Sequence, residues 1–505
     1  MDHKNNHSER KFGKPANGKD FGERKFGRPA SGKDFGERKF GRPANGKNFA
    51  EALPHETTGI STVSRRLALE VLSDVHNNGA FANLSLSKKF MNMPQIKNED
   101  RKLLTNLVYG TLENQILLDY ALDQMMDRPT NDTMQRDILR MGAYQILLLD
   151  RVPDRAAVDE AVKLARSLDM ENATGFINAV LRNLSRKKSE ISWPEKDENL
   201  TEFLHVMTST PKWLVEYFIT TFGDELATSL LTYKTTSHTL TVRPNFTKLT
   251  DDEFESLLAK KEYRFEKGIA PHSYKLFDVQ ALPYDEDYSR GNFSIQGESS
   301  MLAAEAVQAK NGMKIIDACA APGGKSAYLA EKMQLTGRVF SWELHEKRAL
   351  LLEATKRRLR LDNMRVIMRD ATVLKPDMER TVDAVLLDAP CSGTGMLYEK
   401  PDIKYRLQLQ DIDAITATQQ QLLETLSTYV KVGGVLVYST CSILPDENEK
   451  QIERFLQTHT NYEVEKLPTS FPKNLLDNEG ELGLQLYPFR DKIEGFYIVR
   501  LRRKS

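Results

Sequence analysis

Three cysteines and a run of acids in the second half of the chain stand at the ends of short apolar segments, where side chains of these kinds can reach a ligand. Met313-Lys314-Ile315-Ile316 reads as a strand, and it delivers Asp317-Ala318-Cys319-Ala320-Ala321-Pro322-Gly323-Gly324-Lys325. Residues 326–333 then carry apolar side chains at helical spacing. A strand, a glycine-rich turn and a helix bring bare backbone and a helix N-terminus close to a bound molecule, as in nucleotide-binding parallel sheets, although the pattern is not G-x-G-x-x-G. Four more apolar runs follow: 339–343 ends on Glu343, 366–370 on Asp370, 382–388 on Asp388 and 434–440 just before Cys441. The third continues into Ala389-Pro390-Cys391-Ser392-Gly393-Thr394-Gly395. One such acid alone is as well explained as a helix N-cap. The whole set is better explained by an open α/β sheet, which gathers its ligands at the carboxyl ends of its strands. Thiols there can act as nucleophiles once ionised, which requires a cation or a helix terminus to lower a pKa normally near 8.5. Spacing alone does not rank Cys391 against Cys441. No pair of cysteines has C-x-x-C spacing, so no metal site is expected.

The blocks DACAAPGGK (317–325), DAPCSGTG (388–395) and YSTCS (438–442), in this order, resemble the RNA cytosine-5 methyltransferases that use S-adenosylmethionine. Within them, the resemblance is to the Sun/RsmB branch acting on 16S ribosomal RNA. Carbon 5 of cytosine is too weak a nucleophile to attack a methyl sulfonium until another nucleophile has added to carbon 6, and a thiolate both adds and leaves well. The resemblance implies Cys441 as that nucleophile, Cys391 as the helper in product release, and Asp388 as the group holding the base, donating to nitrogen 3 when protonated. It further implies a cofactor pocket of Cys319, Ala320, Ala321, Pro322, Gly323, Gly324, Lys325, Glu343, Asp370 and Asp388. Glu343 would take the ribose hydroxyls and Asp370 the adenine. Cys319 is expected to be a small buried apolar residue. Lys325 and Lys404 are expected to steer phosphate or base. Two departures from the family pattern are Gly297 after Gln296, where an acid is usual, and Tyr405, where Trp is usual.

These residues need elements to hold them. Residues 64–75, 100–112, 116–126, 134–149, 156–167 and 175–184 read as amphipathic helices with almost no strand signal among them. The segments Leu139-Arg140-Met141-Gly142-Ala143-Tyr144-Gln145 and Gly175-Phe176-Ile177-Asn178-Ala179-Val180-Leu181-Arg182 resemble the NusB-like RNA-binding domain of the same branch. Arg65, Arg66, Arg182, Arg186, Lys187 and Lys188 are candidates for its RNA-facing patch. Residues 188–200 read as a linker, and Pro211 opens a further helix. A small α+β unit follows, and 292–300 is taken as the start of the catalytic domain. The expected plan is therefore multidomain: a disordered basic tail (1–58), an all-α NusB-like bundle (59–190), a linker helix with a small α+β RNA-guiding subdomain (191–290), and a Rossmann-like methyltransferase domain (291–505).

The tail repeats a 14-residue unit with Glu9, Glu23 and Glu37 in register, and its glycines, prolines and lone phenylalanines cannot build a core. It carries 13 Lys and Arg against 6 Asp and Glu within residues 1–50, so a net charge of zero over 505 residues conceals a basic end and a mildly acidic remainder. RNA contact must then come from local patches. Three cysteines without a disulfide framework, a polar N-terminus and no apolar run near the roughly 20 residues of a membrane span point to a cytoplasmic protein. Oligomeric state is not legible; a monomer is the working expectation. The competing readings are a related cytosine-5 enzyme acting on transfer RNA or another rRNA position, and a non-catalytic RNA-binding assembly or antitermination factor.

Overall fold

The computed structural model describes residues 60–505 except 94, 235–238, 280, 281, 283 and 284, with side chains from residue 63 onward. The repeat tail lies outside the described residues.

Seven helices form the first layer: α1 (Ile60–Asn78), α2 (Ala82–Asn92), α3 (Asn98–Glu113), α4 (Gln115–Asp123), α5 (Thr133–Leu148), α6 (Asp154–Arg166) and α7 (Glu171–Lys187). Their apolar stripes meet in one core that includes Leu104, Val108, Leu118, Leu139 and Leu181. The Tyr144 ring lies directly on Gly110, where an added Cβ would fall 2.0 Å from it, so α3 and α5 approach closely only because that position lacks a side chain. The helix α2 escapes the periodicity reading because it buries only Ala82, Ser85 and Leu86. The proposed basic patch needs one correction. Arg65 is only 5% exposed; it donates to Gln145 Oε1 at 3.0 Å and lies 3.6 Å from Glu160, because a guanidinium taken into a helical core must be paired. Lys188 pairs with Asp154 at 2.9 Å, while Arg182, Arg186 and Lys187 are exposed along α7.

Helices α8 (Leu200–Met207) and α9 (Lys212–Thr232) lead to a four-stranded antiparallel sheet. It comprises β1 (Thr239–Pro244), α10 (Asp251–Lys260), β2 (Phe265–Lys267), β3 (Tyr274–Phe277), the short helix α11 (Glu286–Ser289) and β4 (Phe293–Ile295), with strand order β2-β3-β1-β4. Thr250 starts α10 with a capping box, its hydroxyl accepting from the Glu253 amide. Residues 293–295, read in sequence as opening the catalytic domain, pair instead with β1 and complete this smaller sheet.

The larger sheet is built by α12 (Glu298–Glu305), β5 (Lys314–Ala318), α13 (Gly324–Lys332), β6 (Arg338–Glu343), α14 (Glu346–Leu359), β7 (Met364–Met368), β8 (Val382–Asp388), α15 (Asp402–Arg406), α16 (Leu409–Ser427), β9 (Val430–Thr440), α17 (Glu449–Thr458), β10 (Tyr462–Glu465), α18 (Lys473–Leu476), β11 (Leu484–Leu486), α19 (Pro488–Asp491) and β12 (Phe496–Arg503). Its order is β10-β12-β9-β8-β5-β6-β7, with β11 paired to β12. The five strands β9-β8-β5-β6-β7 are parallel, and β12 closes against β9 antiparallel. The chain leaves β5 towards β6 and β7, then crosses back to β8 and β9, so a crevice opens at the carboxyl ends of β5 and β8. Every residue singled out above for chemistry, Lys404 apart, lies at or just beyond such a strand end.

Candidate active site

Adjacent parallel strands bring the two thiols together. In the β8/β9 ladder Asp388 lies opposite Ser439, so the next residues of both strands emerge side by side. Cys391 Sγ and Cys441 Sγ are 3.1 Å apart. Asp388 accepts from the Ser439 hydroxyl at 2.9 Å through one oxygen and from Lys325 Nζ at 2.8 Å through the other. Lys325 reaches across from the first turn of α13, over the Phe496 ring.

Beneath the thiols lies a buried polar network that sequence reasoning missed. Glu447 accepts from the Ser392 amide (2.8 Å), the Ser392 and Ser442 hydroxyls (2.5 and 2.7 Å) and the Gln419 amide nitrogen (3.0 Å). The residues following Cys391 and Cys441 are thus tied to a single carboxylate. The signal available in sequence was the hydroxyl residue directly after each cysteine, but its acceptor lies on another segment.

The two thiols face opposite electrostatics. The hydrogen bond between the two sulfurs, with Lys400 and Lys325, brings the Cys441 thiol below its ordinary value against burial and Asp388. Cys391 is pushed well above its ordinary value by that same bond, by burial, and by Cys441, Glu447 and Asp388. Asp388 weighs on both thiols; what separates them is that Lys400 and Lys325 act on Cys441 while Glu447 acts on Cys391. Cys319 is half-buried rather than buried as expected, because it turns out of β5 into the glycine-rich turn; desolvation, Glu343 and Asp388 push it up to about 12, which leaves it an unreactive thiol. Both Asp388 oxygens already act as acceptors, so donation to a base would require it to exchange Lys325 for the base and take up a proton.

The glycine-rich turn makes a cradle. Gly323 has φ of 111°, in the left-handed region that favours glycine, and it caps α13. Glu343 is buried at the end of β6; one oxygen accepts from the His345 amide, and the other has no hydrogen-bond partner among the described residues, with Arg348 Nε 3.6 Å away. Asp370 is exposed just past β7, where the Arg369 amide donates to the Glu343 carbonyl, setting the two acids side by side. Asp317 holds Ser326 through one oxygen while the other is buried without a hydrogen-bond partner among the described residues. Burial pushes Asp317 up to about 7, with Asp388 adding and Ser326 and Lys325 opposing. An unpartnered buried carboxylate oxygen beside a glycine cradle fits a ribose diol.

Lys404 is not part of this cluster. It is 5% exposed and donates to the backbone carbonyls of Glu113 and Thr208, so the expected phosphate or base contact is corrected. Its neighbour Tyr405 likewise donates to the Ser209 carbonyl. Among the described residues no group of His, Cys, Asp or Glu could hold a metal ion, and no helix is long and apolar enough to cross a membrane.

A parallel sheet with this crossover, a glycine-turn cradle and an acid at each neighbouring strand end define a Rossmann-like methyltransferase domain, here preceded by an all-α bundle. Residues 304–502 match the family model of 16S rRNA methyltransferase RsmB/F, and residues 62–186 match the NusB family. A probable ribosomal RNA small subunit methyltransferase B of Bacillus subtilis is 35% identical over 450 residues, covering 88% of this chain and 99% of that protein. One of the same name from Synechocystis sp. is 31% identical over 446 residues, covering 87% and 99%. The solved structure of PH0851 superposes with a TM-score of 0.74 at 22% identity, over 89% of this chain and 100% of that one, which supports the fold. The chain belongs to the RsmB/F family of 16S rRNA methyltransferases. It is an RNA methyltransferase whose methyl donor is S-adenosylmethionine.

Proposed function

We propose that this enzyme methylates carbon 5 of a cytosine in 16S rRNA through a covalent adduct on Cys441. The observation that carries the reading is the thiol pair itself, two sulfurs 3.1 Å apart beyond the paired ends of β8 and β9, with Lys400 and Lys325 acting on Cys441. The Cys441 thiolate adds to carbon 6 of the ring, and the displaced electron pair moves to nitrogen 3, where it takes a proton. Carbon 5, now enamine-like, forms its bond to the methyl carbon as the bond from that carbon to the sulfonium sulfur breaks. S-adenosylmethionine supplies the electrophilic methyl group when bound. A water molecule positioned with the help of Cys391 takes the carbon 5 proton; the electron pair of that C–H bond reforms the ring double bond and expels Cys441 as thiolate, and nitrogen 3 returns its proton to solvent.

Cys319, Ala320, Ala321, Pro322, Gly323, Gly324 and Lys325 would line the cofactor cradle, with Glu343 on the ribose and Asp370 at the adenine. Lys325 holds Asp388 at the mouth of β8, where the carboxylate can orient the base. The base must leave its stack to reach sulfurs that sit in the crevice beyond the strand ends. The domain limits at 58 and 190 are part of the same proposal, and the limit expected at 290 moves to just past β4, which pairs with β1 in the guiding unit.

The test is transfer of labelled methyl from S-adenosylmethionine to unmodified 16S rRNA by wild type, Cys441→Ala and Cys391→Ala. Wild type should form 5-methylcytosine, Cys441→Ala should form none, and Cys391→Ala should accumulate RNA-bound protein. Full activity in Cys441→Ala would refute the assignment, and label appearing only on transfer RNA would overturn the substrate.

A further inference from the structure

Between β8 and α16 the chain makes one long loop, and it carries both Cys391 and α15. Three successive side chains of α15 bind backbone carbonyls outside the catalytic sheet. Lys404 Nζ donates to the carbonyls of Glu113, the last residue of α3, at 3.3 Å and of Thr208, the C-cap of α8, at 2.8 Å. Both carbonyls lie at the negative ends of helices, and the Thr208 one also accepts from the Thr210 hydroxyl at 3.3 Å, so the Lys404 amine donates where the helix dipoles favour a donor. Tyr405 Oη donates to the Ser209 carbonyl at 3.0 Å, while the Ser209 hydroxyl accepts from the Leu117 amide of α4 at 2.9 Å. Arg406 donates to the Ala80 carbonyl and lies over the Phe81 ring at 4.1 Å.

The loop after Cys441 is held by the same neighbours. Leu214 and Phe218 of α9 share a buried cluster with Leu407 and Ile412 on one side and Ile443 and Leu444 on the other. Tyr217 Oη donates to Asp446 at 2.9 Å, one residue before Glu447. The α-helical part of the molecule thus grips both cysteine-bearing loops, and Lys404 is its deepest attachment to the first.

We propose that Lys404 is a positioning residue, through which the NusB-like bundle and α8 hold the Cys391 loop in register with Cys441. This rests on the thiol assignment under Proposed function. Lys404 meets no RNA, since its amine is spent on two carbonyls and shielded from solvent. Burial brings the amine down to about 7, with Lys234 adding and Glu113 opposing, so the contact carries little electrostatic reserve and depends on geometry. A sulfur pair separated by 3.1 Å is sensitive to small shifts of either loop, and misplacement of about 1 Å can cost on the order of a hundredfold in rate.

The experiment compares full-length wild type, Lys404→Met and Tyr405→Phe for kcat and KM on 16S rRNA, for S-adenosylmethionine affinity, and for the pH profile of Cys441 alkylation by iodoacetamide without RNA. Expected for Lys404→Met are a kcat lower by about tenfold or more, KM and cofactor affinity within about twofold, and a Cys441 inflection moved upward. Tyr405→Phe should move the same readouts in the same direction by less, and it decides the matter if Lys404→Met does not fold. A raised KM at unchanged kcat would make Lys404 an RNA contact. A lowered melting temperature with an unmoved alkylation profile would make it merely structural. Either result, or no change, overturns the proposal. Wild-type activity and its alkylation profile come first, so failure of the thiol assignment would show in wild type and failure of the positioning role only in the variants.

Discussion

Cys441 and Cys391 touch and both feel Asp388, yet Lys325 and Lys400 act on the first while Glu447 weighs on the second. Thiolate, not thiol, is alkylated, so each rate rises with pH through that thiol's own pKa. Cys441 should therefore react with an inflection below the free-thiol value of about 8.5, and Cys391 and Cys319 only far above it. Peptide mapping of alkylation against pH reads this directly, and an earlier inflection for Cys391 would reverse the roles. Glu447→Gln is a second prediction. The amide turns one face from acceptor to donor among four donors, which should cost about 1–3 kcal/mol by urea unfolding and lower kcat with cofactor affinity kept. The acids and thiols themselves were legible, because polar residues at the ends of apolar runs are rare without a reason. Glu447 was not, because nothing local distinguishes it from Asp446 or Glu449.

The loop after Cys391 packs backbone against backbone: the Gly495 amide donates to the Gly395 carbonyl, and a Cβ on Gly395 would fall 2.1 Å from the Gly495 carbonyl oxygen. Backbone cannot rotate away as a side chain can. Gly395→Ala should therefore destabilise by about 1–3 kcal/mol and pull the Cys391 loop off β12, measured as a lower unfolding midpoint with reduced kcat. Strands 314–318, 338–343 and 382–388 and helices 98–113 and 133–148 announce themselves in sequence through apolar runs and helical spacing. Phe293–Ile295 does not announce its partner; three residues fit either sheet, and only pairing with β1 decides. The eight residues of α8 likewise offer too little periodicity beside a charged linker.

Two of the ties that join the parts are buried charged or polar contacts. Arg243 of the small sheet is fully buried and meets Glu331 of α13 at 2.6 Å, with Gln296 completing its fork. Removing one member of a buried pair strands the other, so Arg243→Met should cost about 3–5 kcal/mol, seen as a lowered melting temperature, and Arg243→Met with Glu331→Met should recover much of it. The second tie is α15 against the bundle. The inward aim of Arg65 and Lys404 was hidden in sequence for one reason: a basic residue reads as solvated until the carbonyls and carboxylates that surround it are placed by the fold. The adduct chemistry is tested most directly by incubating the enzyme and S-adenosylmethionine with 16S rRNA containing 5-fluorocytosine, where the carbon 5 substituent cannot leave, and mapping the nucleotide-bearing peptide by mass spectrometry. The nucleotide should be found on Cys441; its attachment to Cys391, or a protein without any adduct that still methylates normal RNA, would contradict the mechanism.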